Sequence, residues 1–250
     1  MEANSRISRA EPDRVDVRGH DLTELMGRVT FTEYLHLLVT GREPTENERF
    51  FLDVLLVAIA EHGLMPSNVA ARMTLAAGPG SLHAAVAAGI LGAGPVVLGT
   101  SEACARLLAD AQQRVAAGED PSAAASNVAK AMHASGEKVP GFGHPVHPPL
   151  DPRAERILEL ADERGVSGPH VLLARSFRDG VESAWGKPLP MNVAMAIAAV
   201  WLDLGFAAED VNAVPILART AGLLAHLADE RRQPVGFLLA RAAEEATGNE

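Results

Sequence analysis

The chain has a single cysteine, Cys104, in 250 residues. No internal disulfide can form, which fits a reducing compartment such as the cytoplasm. Aromatic residues amount to only 4%, so the core must be built from aliphatic side chains and alanine, a composition that suits closely packed helices. Basic runs are missing too. The densest basic spot is Arg231-Arg232, and the formal net charge is −10. Phosphate backbones need clustered Lys and Arg, so the composition argues against nucleic acid as a partner. A small anion would have to be met by individual arginines. The N-terminal stretch MEANSRISRAEPDRVDV has no apolar core and does not read as a signal peptide. Thr74 to Ser101 carries no charge and is long enough to span a bilayer. Its glycines and prolines, from Gly78 to Gly99, break it into two helical pieces, so no membrane contact is expected. Runs of alternating β-branched residues longer than four are absent, and no repeat of 20–50 residues occurs.

Helical signals fill the rest. Hydrophobic residues are 48% of the chain, too many for a disordered one. Thr30 with Glu33 forms a capping box before FTEYLHLLVT, stopped by Gly41; Thr45 with Glu48 forms another before ERFFLDVLLVAIAEH, stopped by Gly63. Phe50, Phe51, Val54, Leu55 and Ala58 give that helix an apolar stripe. Further helices are predicted over 82–91, 102–117, 122–134, 154–164, 169–184, 191–204 and 211–230. The fold class is nearly all-α.

Four segments carry candidate chemistry. In AEHG, His62 is placed at a helix C-terminus, whose negative end favours an imidazolium; a plain polar cap is the alternative. In KVPGFGH, glycines allow a sharp turn and a close backbone approach with N–H groups free to donate, although an ordinary loop would read the same. GFGHPVHPPLDPR, residues 141 to 153, holds His144, His147 and Arg153 on a stiff loop. Its HxxH spacing does not make a metal site, because the prolines prevent helical geometry and no further ligands complete the set. Arg153 could grip a carboxylate in bidentate fashion or pair at a helix start. In ARTAGLLAH, Arg219 lies among apolar residues, so either a structural carboxylate or a bound anion must meet it.

Together these segments resemble the citrate synthase family, in order, over roughly residues 14 to 245. RGHDLTEL is similar to that family's early RGYDI.EL segment, and FTEYLHLLVTGREPT to the following helix with its L.G.LPT exit. AEHG, GFGHPVHPPLDPR, LPMNV and the ART of ARTAGLLAH match as well. The short length and the form GFGHPVH are most similar to the citryl-CoA lyase-like branch, related to the C-terminal module of ATP-citrate lyase. The resemblance implies a citrate synthase-like fold in a homodimer. A large helical domain (1–98 and 206–250) would receive a smaller inserted helical domain (99–205) carrying the GFGH loop. It also implies roles. Val139, Pro140, Gly141, Phe142 and Gly143 approach coenzyme A through their backbone, with Lys187 and Asn192 near the thioester-bearing arm. His144 meets the keto or hydroxyl oxygen, His62 contacts the oxaloacetate or citryl moiety and shares the catalysis, and Arg153 and Arg219 bind carboxylates. The partners implied are a CoA thioester and a di- or tricarboxylate, with no metal and no permanently bound cofactor.

The chain departs from the family's pattern at four places. Val97 stands for the histidine of GPLHGG, Ala194 and Met195 for the acid and glycine of NVDG, and Pro148 for a basic residue. The expected activity is therefore lyase-type: cleavage, or formation, of a C–C bond between an acyl-CoA and a 2-oxo acid such as oxaloacetate. The alternatives are a catalytically impaired homologue that binds a CoA thioester or tricarboxylate, and a subunit that assembles with a competent relative.

Overall fold

The computed structural model describes residues 7–94, 98–143 and 150–248. The chain divides into two compact units, Met1–Val54 and Leu55–Glu250.

The first unit opens on a three-stranded antiparallel sheet, β1 (Ser8–Ala10), β2 (Val15–Val17) and β3 (His20–Asp21), in the order β1-β2-β3 with Ser8 opposite Val17. Its strands are too short to register as alternation in the sequence, so this sheet is an addition to the expected all-helical reading. A short α1 (Leu22–Leu25) and α2 (Phe31–Thr40) follow. The Thr30–Glu33 capping box is present in both directions, and Gly41 closes α2 in the left-handed conformation at φ 80°. α3 (Glu46–Ile59) starts from the reciprocal Thr45–Glu48 pair. Arg42 holds the buried Glu48 carboxyl down at about 2.

The second unit is helical. α4 (Pro66–Ala77), α5 (Leu82–Leu91) and α11 (Ala213–Arg232) pack on one another, with Ala71, Leu75, Ala85, Leu223 and Leu227 as their core, and α12 (Gly236–Thr247) packs on α4. α6 (Thr100–Ala116), α7 (Pro121–Ala134), α8 (Pro152–Glu163), α9 (Pro169–Trp185) and α10 (Val193–Asp203) form a second set of mutually packed helices. α10 sits at the centre of that set and is buried at every position from Ala194 to Trp201. Its alanines at 196, 198 and 199 let α6, α8 and α9 approach closely. A 3₁₀ turn (Ala208–Asp210) links α10 to α11. α4 and α12 were not among the predicted helices. Thr74–Ser101 is broken as expected. Among the described residues, the helical run long and apolar enough to cross a membrane is instead Ala208–Arg232, and nearly half of its most apolar window is buried inside the protein.

Candidate active site

The glycine loop is built against the start of α10. The Gly143 N–H donates to the Pro190 carbonyl at 2.8 Å, the Asn192 N–H donates to the Gly141 carbonyl at 2.8 Å, and Phe142 faces Met191 in an isolated antiparallel bridge. Asn192 does double duty. Its Oδ1 accepts the Ala194 N–H at 3.0 Å, capping α10, and its Nδ2 donates to the Gly143 carbonyl at 3.1 Å. Gly141 is required twice over: φ is +80°, and a Cβ there would lie 2.6 Å from Met195 Cβ and 2.8 Å from Cys104 Sγ. The expectation of freely donating loop amides needs correction. The Phe142 and Gly143 N–H groups are engaged within the protein, on Val139 and Pro190, because tight pairing with 190–192 is what holds this proline- and glycine-rich segment in place. Val139 and Gly141 are buried, Pro140, Phe142 and Gly143 half-buried, and Lys187 is exposed.

His144 lies outside the described residues, as do Val97, His147 and Pro148. Beyond them the chain resumes at Leu150, and Asp151, fully buried, caps α8 through the Arg153 N–H. Arg153 donates from Nε to Asp151 Oδ1 at 3.0 Å and from Nη2 to Asp151 Oδ2 at 2.8 Å. The helix-start ion pair is thus the arrangement adopted by Arg153. Asp151 Oδ2 also accepts the Val193 N–H at 3.1 Å, so one carboxylate joins the starts of α8 and α10. Burial alone would raise this carboxyl, but the Arg153 bonds and charge, with the two backbone donors, hold it below its ordinary value.

The second cluster surrounds Arg219 on α11. α3 ends at Ile59, so His62 is not at a helix C-terminus as expected; it sits half-buried in the turn that joins α3 to α4. That turn lies directly against α11. At Gly222, one helical turn after Arg219, any Cβ would overlap the Ala60 carbonyl oxygen. The turn is pinned on both sides of Gly63, whose N–H donates to Glu61 Oε1 and whose carbonyl accepts Asn68 Nδ2, both at 2.5 Å. Seven residues after Arg219, and so on the same face of α11, His226 Nδ1 accepts Arg72 Nε at 3.0 Å. Its neutral ring therefore carries the proton on Nε2, which meets Glu61 Oε1 at 3.0 Å. Arg72 is anchored in turn by Asp229 at 2.7 Å and Glu230 at 2.9 Å.

Arg219 is only 6% exposed. Its Nη1 reaches Asn68 Oδ1 at a long 3.4 Å, and its Nε has no partner among the described residues. It forms no ion pair with any described carboxylate, and burial lowers its pKa against the opposing charge of Glu61. Of the two alternatives raised by the sequence, the bound anion is the one this environment favours. Asn68, Arg72 and His226 were not singled out from the sequence. The signal was present in ARTAGLLAH, whose first and last polar residues are seven apart.

Among the described residues, no group of three His, Cys, Asp or Glu could hold a metal. A cavity of about 450 Å³ lined by Ile90, Leu98, Glu102, Arg106, Asn212 and Ile216 includes none of the predicted site residues. Asn212 Nδ2 and Arg106 both bond Glu102 there, while Asn212 Oδ1 has no partner among the described residues.

Comparison with known proteins bears on this geometry. The family model for the citrate synthase C-terminal domain matches residues 41–241. The chain belongs to the citrate synthase family. It is 32% identical over 197 residues to a putative citrate synthase 2 of Mycobacterium tuberculosis, covering 76% of this chain and 50% of that protein. It is 30% identical over 201 residues to the citrate synthase of Heyndrickxia coagulans, covering 77% and 50%. The chain thus spans about half the length of the curated relatives it matches. The likeness to a citryl-CoA lyase from Hydrogenobacter thermophilus runs over nearly the whole of both molecules: TM-score 0.82, 29% identity, 92% of this chain and 87% of that one. An ATP citrate lyase from Methanothrix soehngenii, in complex with citrate and coenzyme A, shares the fold at TM-score 0.79 and 22% identity, over 93% of this chain and 39% of that one. The expected resemblance to the citryl-CoA lyase-like branch is borne out, as is the citrate synthase-like fold.

Proposed function

We propose that the protein is a citryl-CoA lyase-like enzyme acting on the C–C bond between an acyl-CoA and a 2-oxo acid such as oxaloacetate. The observation that carries this reading is Arg219: a buried guanidinium beside the His62 turn, whose Nε has no partner and which makes no ion pair among the described residues, Glu61 acting on it only as a more distant charge. A substrate carboxylate supplies both the charge and the acceptor. In the cleavage direction, a base takes the hydroxyl proton of the 3-hydroxy-acyl-CoA. The oxygen's electrons form the keto group, the C–C bond breaks, and its pair leaves on the thioester as an enolate, which takes a proton from solvent to give the acyl-CoA. His62, with His144, is assigned to the hydroxyl or keto oxygen, and Arg219, with Arg153 once it shares its fork with the ligand, to carboxylates. Val139 to Gly143, Lys187 and Asn192 are assigned to the coenzyme A arm. The reading needs no metal and no resident cofactor. A large helical domain (1–98 and 206–250) with a smaller inserted domain (99–205) belongs to the same reading. A homodimer and a cytoplasmic location belong to the same reading.

A second reading rests on Ala194. At the start of α10, where the family's motif has an acid, this chain presents a methyl group, so the enolate would be left without that proton donor and acceptor. A protein that binds the thioester or tricarboxylate without turnover fits this substitution. Incubation with citryl-CoA, with acetyl-CoA and oxaloacetate followed by chromatography, separates the two. Product formation at enzymatic rates is expected; tight binding without product would replace the first reading with the second.

A further inference from the structure

We infer that Asn68 is a positioning residue that locks the His62 turn and the Arg219 guanidinium into one frame, and so sets affinity for the substrate's carboxylate end. The inference rests on the proposed reading of Arg219 and His62 as substrate contacts. Asn68 itself is completely buried, so it acts only through its neighbours. It lies in the first turn of α4, where an asparagine ordinarily serves as a cap, yet the cap position is Met65 and makes no side-chain bond. The amide points away from its own helix. Nδ2 donates to the Gly63 carbonyl, the residue after His62, and Oδ1 faces Arg219 Nη1. Turning the amide over would set oxygen against the Gly63 carbonyl and NH₂ against both Arg219 and the Ser67 hydroxyl, so these three neighbours favour the orientation seen. Nδ2 also lies 2.9 Å from His226 Nε2, the ring atom that meets Glu61, so the amide touches the ring on the other side of the same turn.

The two ends of one small amide thus touch the supports of both groups assigned to the substrate. The long 3.4 Å contact leaves Arg219 steered rather than satisfied, with donors still open to a ligand. Without Asn68, the guanidinium and the turn would have to be ordered during binding, which weakens affinity without removing any ligand contact.

The test is calorimetry on the full chain with citrate and, separately, with coenzyme A, for the wild type, Asn68→Ala, Arg219→Ala and the double variant. Asn68→Ala is expected to weaken citrate about tenfold, to leave coenzyme A unchanged, and to add less than its full loss once Arg219 is alanine. Equal losses for both ligands, full additivity with Arg219→Ala, or unchanged citrate affinity would overturn the assignment. Should the alanine variant fail to fold, the near-isosteric Asn68→Asp decides the matter. Its carboxylate would pair with Arg219 and face the Gly63 carbonyl, so citrate binding should fall more than tenfold, and wild-type binding by it would overturn the inference. A wild type that binds neither citrate nor oxaloacetate would overturn the functional reading itself, and this assignment with it; a wild type that binds citrate alongside neutral Asn68 variants overturns this assignment alone.

Discussion

Position 194 holds a methyl group where the family's motif has a carboxylate. The carboxylate joined to this end of α10 is Asp151, already spent on Arg153 and on the Val193 N–H. A missing positioned acid–base group lowers a rate by about 10²–10⁴. The wild-type protein is therefore expected not to exchange the methyl protons of acetyl-CoA with solvent deuterium, with or without oxaloacetate. Ala194→Asp should introduce weak exchange, read by proton NMR in D₂O. Rapid wild-type exchange would mean that another group has taken over the role and would end the silent-binder reading. Arg219 gives a second test at this scale. Arg219→Ala should weaken citrate or oxaloacetate at least about tenfold, since a desolvated charged pairing is lost; unchanged affinity in calorimetry would make it a structural residue. Gly141 gives a third, independent of ligands. Alanine there combines a left-handed φ with overlap on Met195 and Cys104. The cost is roughly 2–4 kcal/mol from strain and overpacking, so Gly141→Ala should lower Tm by roughly 5–10 °C. An unshifted melting curve would show that the loop relaxes freely.

Single helices were legible wherever a local signal set their ends. The Thr30–Glu33 box and Gly41 bound α2 as predicted, and α5 spans Leu82–Leu91 without correction. α4 was missed because its cap, Met65, carries no side-chain signal, and the end of α3 was misplaced because the chain leaves the helix at Ala60 to meet Gly222, a tertiary contact. The site was legible as a set of motifs but not as a geometry. Arg219 could be marked as a buried charge, whereas the amide that faces it lies 151 positions away in sequence. Distant partners also secure helix ends. Asp203, at the end of α10, caps α9: its oxygens accept the N–H groups of Gly168, His170 and Val171 at 2.8, 3.0 and 2.9 Å, and it bonds the His170 ring. Burial pushes this carboxyl up, but these donors together hold it below its ordinary value. A depressed carboxyl stabilises the fold above the unfolded pKa of about 3.9, and that stability is lost as pH falls through it toward the folded value. Urea midpoints should accordingly fall more steeply below about pH 4 in the wild type than in Asp203→Asn. Parallel pH profiles for the two proteins would remove Asp203 from the acid response.

For the molecule as a whole, the telling element is α5. Its sequence, LHAAVAAGIL, is apolar on nearly every face, yet within the chain only Ala85 and Gly89 are buried. A helix that is hydrophobic all round belongs in an interior, and this one leaves Leu91 83% exposed at its end. Neighbouring α11 adds half-exposed Ile216 and Leu224. Ala84, Ala87 and Ala88, outside the buried face of α5, allow another helix backbone to come close, and the family resemblance implies that such helices pair across a two-fold axis. The occupant expected is a second copy of this chain, self-complementary by symmetry. Light scattering at micromolar concentration should therefore give a mass of about twice 26.3 kDa. Leu91→Glu, which places a charge on the exposed end of α5 without touching any residue assigned to substrate, should shift the population toward monomer and lower activity in parallel with the dimer fraction. A wild-type monomer would remove the explanation for the exposed apolar surface of α5, and a dimer indifferent to Leu91→Glu would place the interface on another face.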